Sequence, residues 1–289
     1  MALTDKSKAT KLWKKNLRKF CNNKLAMIGF ICMIIITLAC ILAPVLTSCD
    51  PIKPDFAAIT KAPSAEHLLG TDKLGRDVFA RVLYGGRVSI LVGVVGALAG
   101  SLIGAVLGAI AGYFGKWIDS LLIRISEVFQ TFPNMILILL MVAILGQGLN
   151  NLLIVFSLTG WMTTFRMVRN EFLVLREETY VKVCEAFGMS RPAIMFKQIL
   201  PNVLSPVIVA TTVNVAGFIL SEAGLSFIGV GVPSSVPTWG NILNAAKSLD
   251  VLANYWWLWV VPGVVISVFV LAVNFFGDGL RDVLDPKQQ

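Results

Sequence analysis

Charge is what this sequence lacks. Asp, Glu, Lys and Arg make up 15% of its 289 residues, whereas a soluble domain carries roughly 25%. So few charges cannot coat a water-facing surface. That excludes an ordinary cytosolic enzyme, a disordered chain and a secreted disulfide scaffold. Histidine is nearly absent: His67 stands alone, which leaves no His-rich metal site and no Ser/His/Asp set. Cys21, Cys32, Cys40, Cys49 and Cys184 form no CxxC pair and keep no regular spacing, so a zinc or haem enzyme is not expected. A phosphate-cradling loop, GxxxxGK[ST], is missing too. Gly115-Lys116-Trp117 comes nearest, but Ile110 holds the position of the first glycine and Trp117 that of the magnesium-binding hydroxyl. Gly229-Val230-Gly231 followed by Ser234 fails the dinucleotide pattern in the same way. The chain therefore reads as non-catalytic, with no cofactor or metal of its own.

What is present is long apolar sequence: 56% of the residues are hydrophobic. A helix crosses the bilayer core with about 20 apolar residues. Leu25 to Leu46 carries no charge, and 28 uncharged residues lie between Arg87 and Lys116. Another 38 lie between Glu127 and Arg166, interrupted by Gly146-Gln147-Gly148-Leu149-Asn150-Asn151. Lys197 to Glu222 and Asp250 to Asp278 enclose two more such stretches. The 38-residue stretch resolves into two crossings, the first beginning near Asp119, with Arg124 and Glu127 pairing at the interface. The expectation is an all-α, polytopic membrane protein with six transmembrane helices. Its plan is a basic N-terminus (1–24), helix one (25–46), a long outer loop (47–87), a five-helix core (88–276) containing an inner loop (169–202), and a C-terminal tail (277–289).

The formal net charge of +8 then has a use other than nucleic acid. Six spans put both termini on one side. With the basic N-terminus in the cytoplasm, inner segments carry 18 basic and 10 acidic residues, and outer segments 7 of each. All the excess falls inside, as membrane orientation requires. Basic residues, an apolar stretch and Leu46-Thr47-Ser48-Cys49 look like a lipoprotein signal, but the stretch exceeds the usual 7–15 residues, so an uncleaved anchor is expected. Cys49 would be the one cysteine on the oxidising side, so no intrachain disulfide is expected.

Within the spans, Gly96, Gly100, Gly104, Gly108 and Gly112 form a ridge of small residues, suited to close helix packing or to a sliding surface. Pro133, Pro206 and Pro262 each remove a backbone donor and bend their helices. Thr211, Thr212 and Asn214 are polar at mid-span; they line a translocation path or hydrogen-bond another helix. No charged residue falls at mid-span, which argues against a proton relay. Tyr255, Trp256, Trp257 and Trp259 read as an interfacial anchor. In the inner loop, Tyr180, Val183, Cys184 and Phe187 recur at helical spacing opposite Glu178, Lys182 and Glu185. Gly188 suits the stop, and Ser190 with Pro192 the start of a second helix. Such a helix lies on the membrane surface or fits a groove on a soluble partner.

Gly188 followed by Leu200-Pro201 resembles the cytoplasmic "EAA" loop of bacterial ABC-importer permeases. Lys182, Val183 and Cys184 stand where Glu-Ala-Ala would be, and Gln198 holds the usual isoleucine position. Three further stretches are similar to the dipeptide/oligopeptide/nickel permease family, and to its C-type subunit. These are His67-Leu68-Leu69-Gly70-Thr71-Asp72 continuing through Gly75-Arg76-Asp77 to Tyr84-Gly85-Gly86-Arg87; Glu222 to Gly229 with Pro237-Thr238-Trp239-Gly240-Asn241; and Gly277 to Pro286. The resemblance implies a type I ABC-importer permease fold in a bacterial inner membrane. Its implied partners are a homologous permease subunit, two ATPase subunits that bind ATP and Mg, and an extracytoplasmic solute-binding protein. It implies an ATPase-coupling set of Tyr180, Cys184, Glu185, Ala186, Phe187, Gly188, Met189 and Arg191. Outer residues Asp72, Arg76 and Asp77 either meet the binding protein or cap and pair within their own loop. Di- or oligopeptides are the implied cargo, with nickel, metallophores or opines as alternatives. A stand-alone secondary transporter or channel would need an ion site or an inverted repeat, and a structural scaffold would leave the four similar stretches without a reason.

Overall fold

The computed structural model describes residues 18–284. Most of the basic N-terminus, and Asp285-Pro286 of the C-terminal stretch, lie outside the described residues. Among the described residues there are helices, connecting turns and a single isolated bridge between Thr71 and Asp77.

Helix α1 (Lys24–Ile41) starts where the Asn23 side chain accepts the N–H of Ala26. Its far end is closed from outside: Arg87 donates Nε to the Cys40 carbonyl at 2.6 Å and Nη2 to that of Ile41 at 2.5 Å. Helix α2 (Val78–Phe114) has 37 residues, about 55 Å at 1.5 Å per residue, so it outreaches the roughly 30 Å hydrocarbon core. It starts ten residues before its charge-free stretch because Asp77 caps it, accepting the N–H of Ala80 at 2.7 Å. Arg81 and Arg87 sit in its first turns with their guanidiniums on loop and helix-end carbonyls.

Helices α3 (Lys116–Thr131) and α4 (Asn134–Leu145) meet at a 92° bend. Phe132 is extended at the break, as the residue before a proline prefers, so Pro133 ends one helix and opens the next. Arg124 and Glu127 pair at 2.9 Å on α3. Gly146 and Gly148, both at positive φ, separate α4 from α5 (Leu149–Thr159). Gly160 separates α5 from α6 (Trp161–Leu175). A short α7 (Thr179–Ala186) follows, then α8 (Leu200–Ile228) and α9 (Trp257–Leu284), which hold Pro206 and Pro262 inside them. Among the described residues four helices, α1, α2, α8 with its lead-in turn and α9, are long and apolar enough to cross a membrane singly. The bent α3–α4 pair is a fifth candidate. The sixth expected crossing falls on α5 and α6, split at Gly160.

Helix α2 is the central post. Its glycine ridge faces α5 and α6: a Cβ on Gly100 would lie 2.9 Å from the Gly160 carbonyl carbon, and one on Gly104 would lie 2.3 Å from the Trp161 carbonyl oxygen. Packing within the chain, rather than an open sliding face, accounts for the ridge. Stacked Phe156 and Phe218, with ring centres 4.5 Å apart, fill the layer between α5 and α8. Cys40, Trp239 and Phe269 fill the layer among α1, α8 and α9.

Candidate functional site

Helix α7 is held at the end of the molecule where α2 stops. Val181 is fully buried and packs with Val168 and Phe172 of α6 and with Ile194, Met195 and Ile199. Cys184, three residues on, packs partly against the same cluster. Val181 is a correction to the expected apolar face. Tyr180, Val183 and Phe187 point away from the body, at 38%, 46% and 87% exposure. The signal was present in the three-residue step from Val181 to Cys184. Glu185 does not simply face water: it accepts the Tyr113 hydroxyl of α2 at 2.9 Å. The Tyr180 hydroxyl lies 3.5 Å from the Asn202 amide of α8. Lys182 pairs with Glu177 at 3.3 Å. Arg176 donates Nη1 to the Gly112 carbonyl at 3.0 Å, closing the end of α2.

Gly188 ends α7 at φ +77, the left-handed region where a side chain is strained. Its N–H donates to Glu185 and that of Met189 to Cys184. No atom lies within 4 Å of where its Cβ would be, so the turn is an exposed tip. Ala186, Phe187, Met189 and Arg191 share that exposed tip. Ser190 occupies the cap position of the next short helix without a side-chain bond, and Pro192 lies in its first turn. A π-helical turn, Ile194–Ile199, then runs directly into α8. Only Met189 and Ser190, both non-helical, separate the tip from the helical run that continues into α8.

The three mid-span polar residues do not share one surface. Asn214 donates to the Gly160 carbonyl at 3.2 Å. It lines a cavity of about 460 Å³ with Gln130, Phe132, Pro133 and Thr159, where two helix breaks meet. Thr212 instead faces α9, so close that a Cβ on Gly277 would lie 2.5 Å from its Oγ1. Thr211 and Thr212 return their hydroxyls to the carbonyls of Val207 and Val209. Positions 212 and 214 are about 200° apart on a helix, which explains the division.

At the opposite end, Asp72, Arg76 and Asp77 are not exposed, and their contacts follow the second of their two readings, capping and pairing within their own loop. Asp72 accepts the N–H groups of Leu74 and Arg76 and the Arg76 Nε at 2.8–3.0 Å. Asp77 caps α2 and accepts from His67 Nδ1 at 2.9 Å. Both carboxylates are buried and Arg76 is half-buried, so these residues build their own loop. Asp50, at that loop's start, accepts the N–H groups of Ile52 and Lys53, which hold its carboxyl below the ordinary value. The aromatic cluster divides as well. Trp257 is buried and donates Nε1 to the Thr71 carbonyl at 3.1 Å, whereas Trp256 is 53% exposed.

Sequence reasoning gave no role to Glu222, which lies fully buried in α8. Its two carboxylate oxygens accept the hydroxyls of Ser89 and Ser226 at 2.8 and 2.7 Å. The loop that follows α8 is held on the same residues: Trp239 donates its N–H to Ser89 Oγ and its Nε1 to the Val82 carbonyl. Asn241 donates to three carbonyls of the loop, those of Val232, Pro233 and Val236. The signal available in sequence was the four-residue step between Glu222 and Ser226.

Residues 104–289 match the family model described as binding-protein-dependent transport system inner membrane component. The chain belongs to that family. Residues 11–63 match a second model, the N-terminal transmembrane domain of oligopeptide transport permease C. The dipeptide transport system permease protein DppC of Alkalihalophilus pseudofirmus is 39% identical over 99% of the chain and 93% of its own length. The oligopeptide transport system permease protein OppC of Escherichia coli is 39% identical over 96% and 92%. OppC of Bacillus subtilis is 36% identical over 97% and 91%. Among solved structures, a chain of the MetNI methionine ABC transporter in inward-facing conformations superposes with a TM-score of 0.57 at 19% identity, over 71% of this chain and 96% of that one. The fold is accordingly the ABC-importer permease fold, and the chain is a non-catalytic, multi-pass membrane subunit of such a transporter.

Proposed function

We propose that this permease forms half of the translocation pathway of an ATP-driven importer of di- or oligopeptides. A homologous permease subunit supplies the other half. Two ATPase subunits bind ATP and Mg, an extracytoplasmic solute-binding protein delivers the cargo, and both termini lie in the cytoplasm. One observation carries this reading: the exposed Phe187–Gly188 tip is fixed to the body by Val181 and runs through a π-helical turn into α8. A groove that grips the tip moves α8 with it. On α8, Asn214 and the cavity at the breaks of α4 and α6 are the stretch of pathway this chain contributes. ATP favours one state only by interacting differently with the two, and the tip is where that difference enters this subunit. The peptide relatives support the cargo assignment.

The test is ATP-driven uptake of radiolabelled peptides into proteoliposomes holding the full complex, with nickel and chelated nickel as competitors. Uptake that needs both the ATPases and the binding protein is expected. Uphill transport or ATP hydrolysis by this chain alone would overturn the reading.

A further inference from the structure

A cavity of about 490 Å³ lies where α2 ends, between the start of α3 and the α6–α7 connection. Four cations line it, Lys116, Arg176, Lys182 and Arg191, with two carboxylates, Glu177 and Glu185. Both carboxylates are committed. Glu177 faces Arg176 Nε at 3.4 Å and Lys182 Nζ at 3.3 Å, and Glu185 accepts the Tyr113 hydroxyl at 2.9 Å. Arg176 Nε is nevertheless buried without a hydrogen bond. Among the described residues neither Lys116 nor Arg191 forms an ion pair. The cavity therefore holds more positive charge than its own carboxylates match, and an anion that accepts from guanidinium and ammonium donors together suits it.

A second, independent observation says what kind of anion. Trp117 lines the same cavity and is 71% exposed. It heads a row with Leu121, Ile125 and Val128, all exposed. Steps of three and four residues put the row on one face of α3. The opposite face is already covered: Leu122, Ile123 and Phe129 pack against Trp161 and Phe165 of α6, and Asp119 holds Arg169. Arg124, beside the row, is paired with Glu127. Helix α3 leaves the end of a membrane-crossing helix and forms, with α4, the fifth candidate span, so the row runs from the cavity into the bilayer. A cationic pocket at the head of an apolar row has the polarity of a phospholipid. A free phosphate would leave the row uncovered.

We propose that this cavity binds the headgroup of an anionic phospholipid whose acyl chains lie along Trp117, Leu121, Ile125 and Val128. Basic pockets beside transmembrane helices suit such headgroups, and tryptophan favours that depth of the membrane. The phosphate accepts from Lys116 on α3 and Arg191 just beyond the Phe187–Gly188 tip, which ties the base of the tip to the bilayer. The proposal rests on the importer reading above only in naming this leaflet the cytoplasmic one.

The test reads Trp117 itself, as the fluorescence difference between wild type and Trp117→Phe. The complete transporter is reconstituted in phosphatidylcholine with lipids brominated high on their acyl chains. Brominated phosphatidylglycerol is expected to quench Trp117 at a mole fraction about 5-fold or more below that needed for brominated phosphatidylcholine, since one cation near the surface contributes about that factor. In Lys116→Gln/Arg191→Gln, changed at two exposed positions and referenced to its own Trp117→Phe form, the two lipids should quench within about twofold of each other. Equal quenching in the wild type would overturn the proposal, as would a preference that survives the double variant. So would the absence of quenching by either lipid, which would make another subunit the cover of the row. Loss of the preference on adding inorganic phosphate at constant ionic strength would overturn it in favour of free phosphate. A wild-type transporter that shows the preference but fails at ATP-driven peptide uptake would overturn the importer reading and leave this one standing.

Discussion

Ser89 donates its hydroxyl to Glu222 at 2.8 Å while the same oxygen accepts the backbone N–H of Trp239. Ser226 repeats the pattern on the other carboxylate oxygen: it donates at 2.7 Å and lies 3.4 Å from the N–H of Val232. Two hydroxyls thus pass two loop N–H groups on to one acceptor. Each carboxylate oxygen accepts one hydroxyl, whereas an amide offers one oxygen and one NH2 donor, so it fits less well between two donating hydroxyls. The position of the loop after α8 is set from inside the helix bundle, by groups on α2 and α8.

Replacing Glu222 should therefore destabilise the protein in a defined order. In Glu222→Gln the amide nitrogen meets a hydroxyl that is itself a donor, leaving one buried donor without an acceptor, at about 1–3 kcal/mol. In Glu222→Ala both hydroxyls are left so, and the loss is larger. Thermal melting followed by fluorescence-detected size-exclusion should rank wild type above Gln and Gln above Ala. Ser89→Ala combined with Glu222→Ala should cost less than the sum of the two. Equal melting of all three chains would reject the network.

The glycine ridge makes a sharper steric prediction. In Gly104→Ala the new Cβ would lie 2.3 Å from the Trp161 carbonyl oxygen and 2.9 Å from the Phe165 nitrogen, and neither backbone atom can rotate away. Helices α2 and α6 must part, at roughly 1–3 kcal/mol. Gly217→Ala and Gly263→Ala meet nothing within 4 Å and, as Gly-to-Ala changes inside helices, should leave melting the same or raise it. A ridge that served sliding rather than packing would tolerate Gly104→Ala as well as these two.

At the Phe187–Gly188 tip, the proposed coupling role requires stability and transport to separate. Val181→Ala removes buried methyl groups and should cost roughly 1–3 kcal/mol. Phe187→Ala alters a side chain that is 87% exposed and should change melting by less than about 0.5 kcal/mol, yet lower peptide uptake. Gly188→Pro cannot reach φ +77 and loses the N–H that donates to Glu185. Inserted protein whose complex hydrolyses ATP without taking up peptide is the expected result; normal uptake would show that the tip carries no force.

Reading the sequence located α1 and the α4–α5 boundary closely, because an unbroken apolar run and a Gly-Gln-Gly interruption are local features. It placed the start of α2 ten residues late because Arg81 and Arg87 look like the end of a loop. Only the fold brings them the carbonyls of Pro51, Cys40 and Ile41. The proline marks a bend but not its 92° size, since a proline fixes where a helix breaks and not the angle at which the next one leaves. For Asp72 and Asp77 the sequence leaves two readings open: their partners lie within ten residues, but in an irregular loop without periodicity. Glu222 reads as the edge of a span, since a carboxylate inside one needs donors from elsewhere in the chain, and Ser89 is 133 residues away.

Asp119 and Arg169 offer the test of how α3 is fastened. The guanidinium grips both carboxylate oxygens, Nη2 to Oδ2 at 2.7 Å and Nε to Oδ1, with the two side chains 19% and 15% exposed on the Arg and Asp sides. Arg124–Glu127 on the same helix is far more exposed, at 82% and 45%, so it should contribute little. Asp119→Ala leaves a half-buried guanidinium without its paired acceptor, and the loss should be about 1–3 kcal/mol, below the 3–5 kcal/mol of a fully buried pair. Glu127→Ala should cost less than about 0.5 kcal/mol. Melting a double-mutant cycle of Asp119→Ala and Arg169→Ala should return a coupling above about 0.5 kcal/mol. A cycle that closes to zero would mean that α3 is held by the apolar contacts of Leu122, Ile123 and Phe129 alone, and that the pair only decorates the joint.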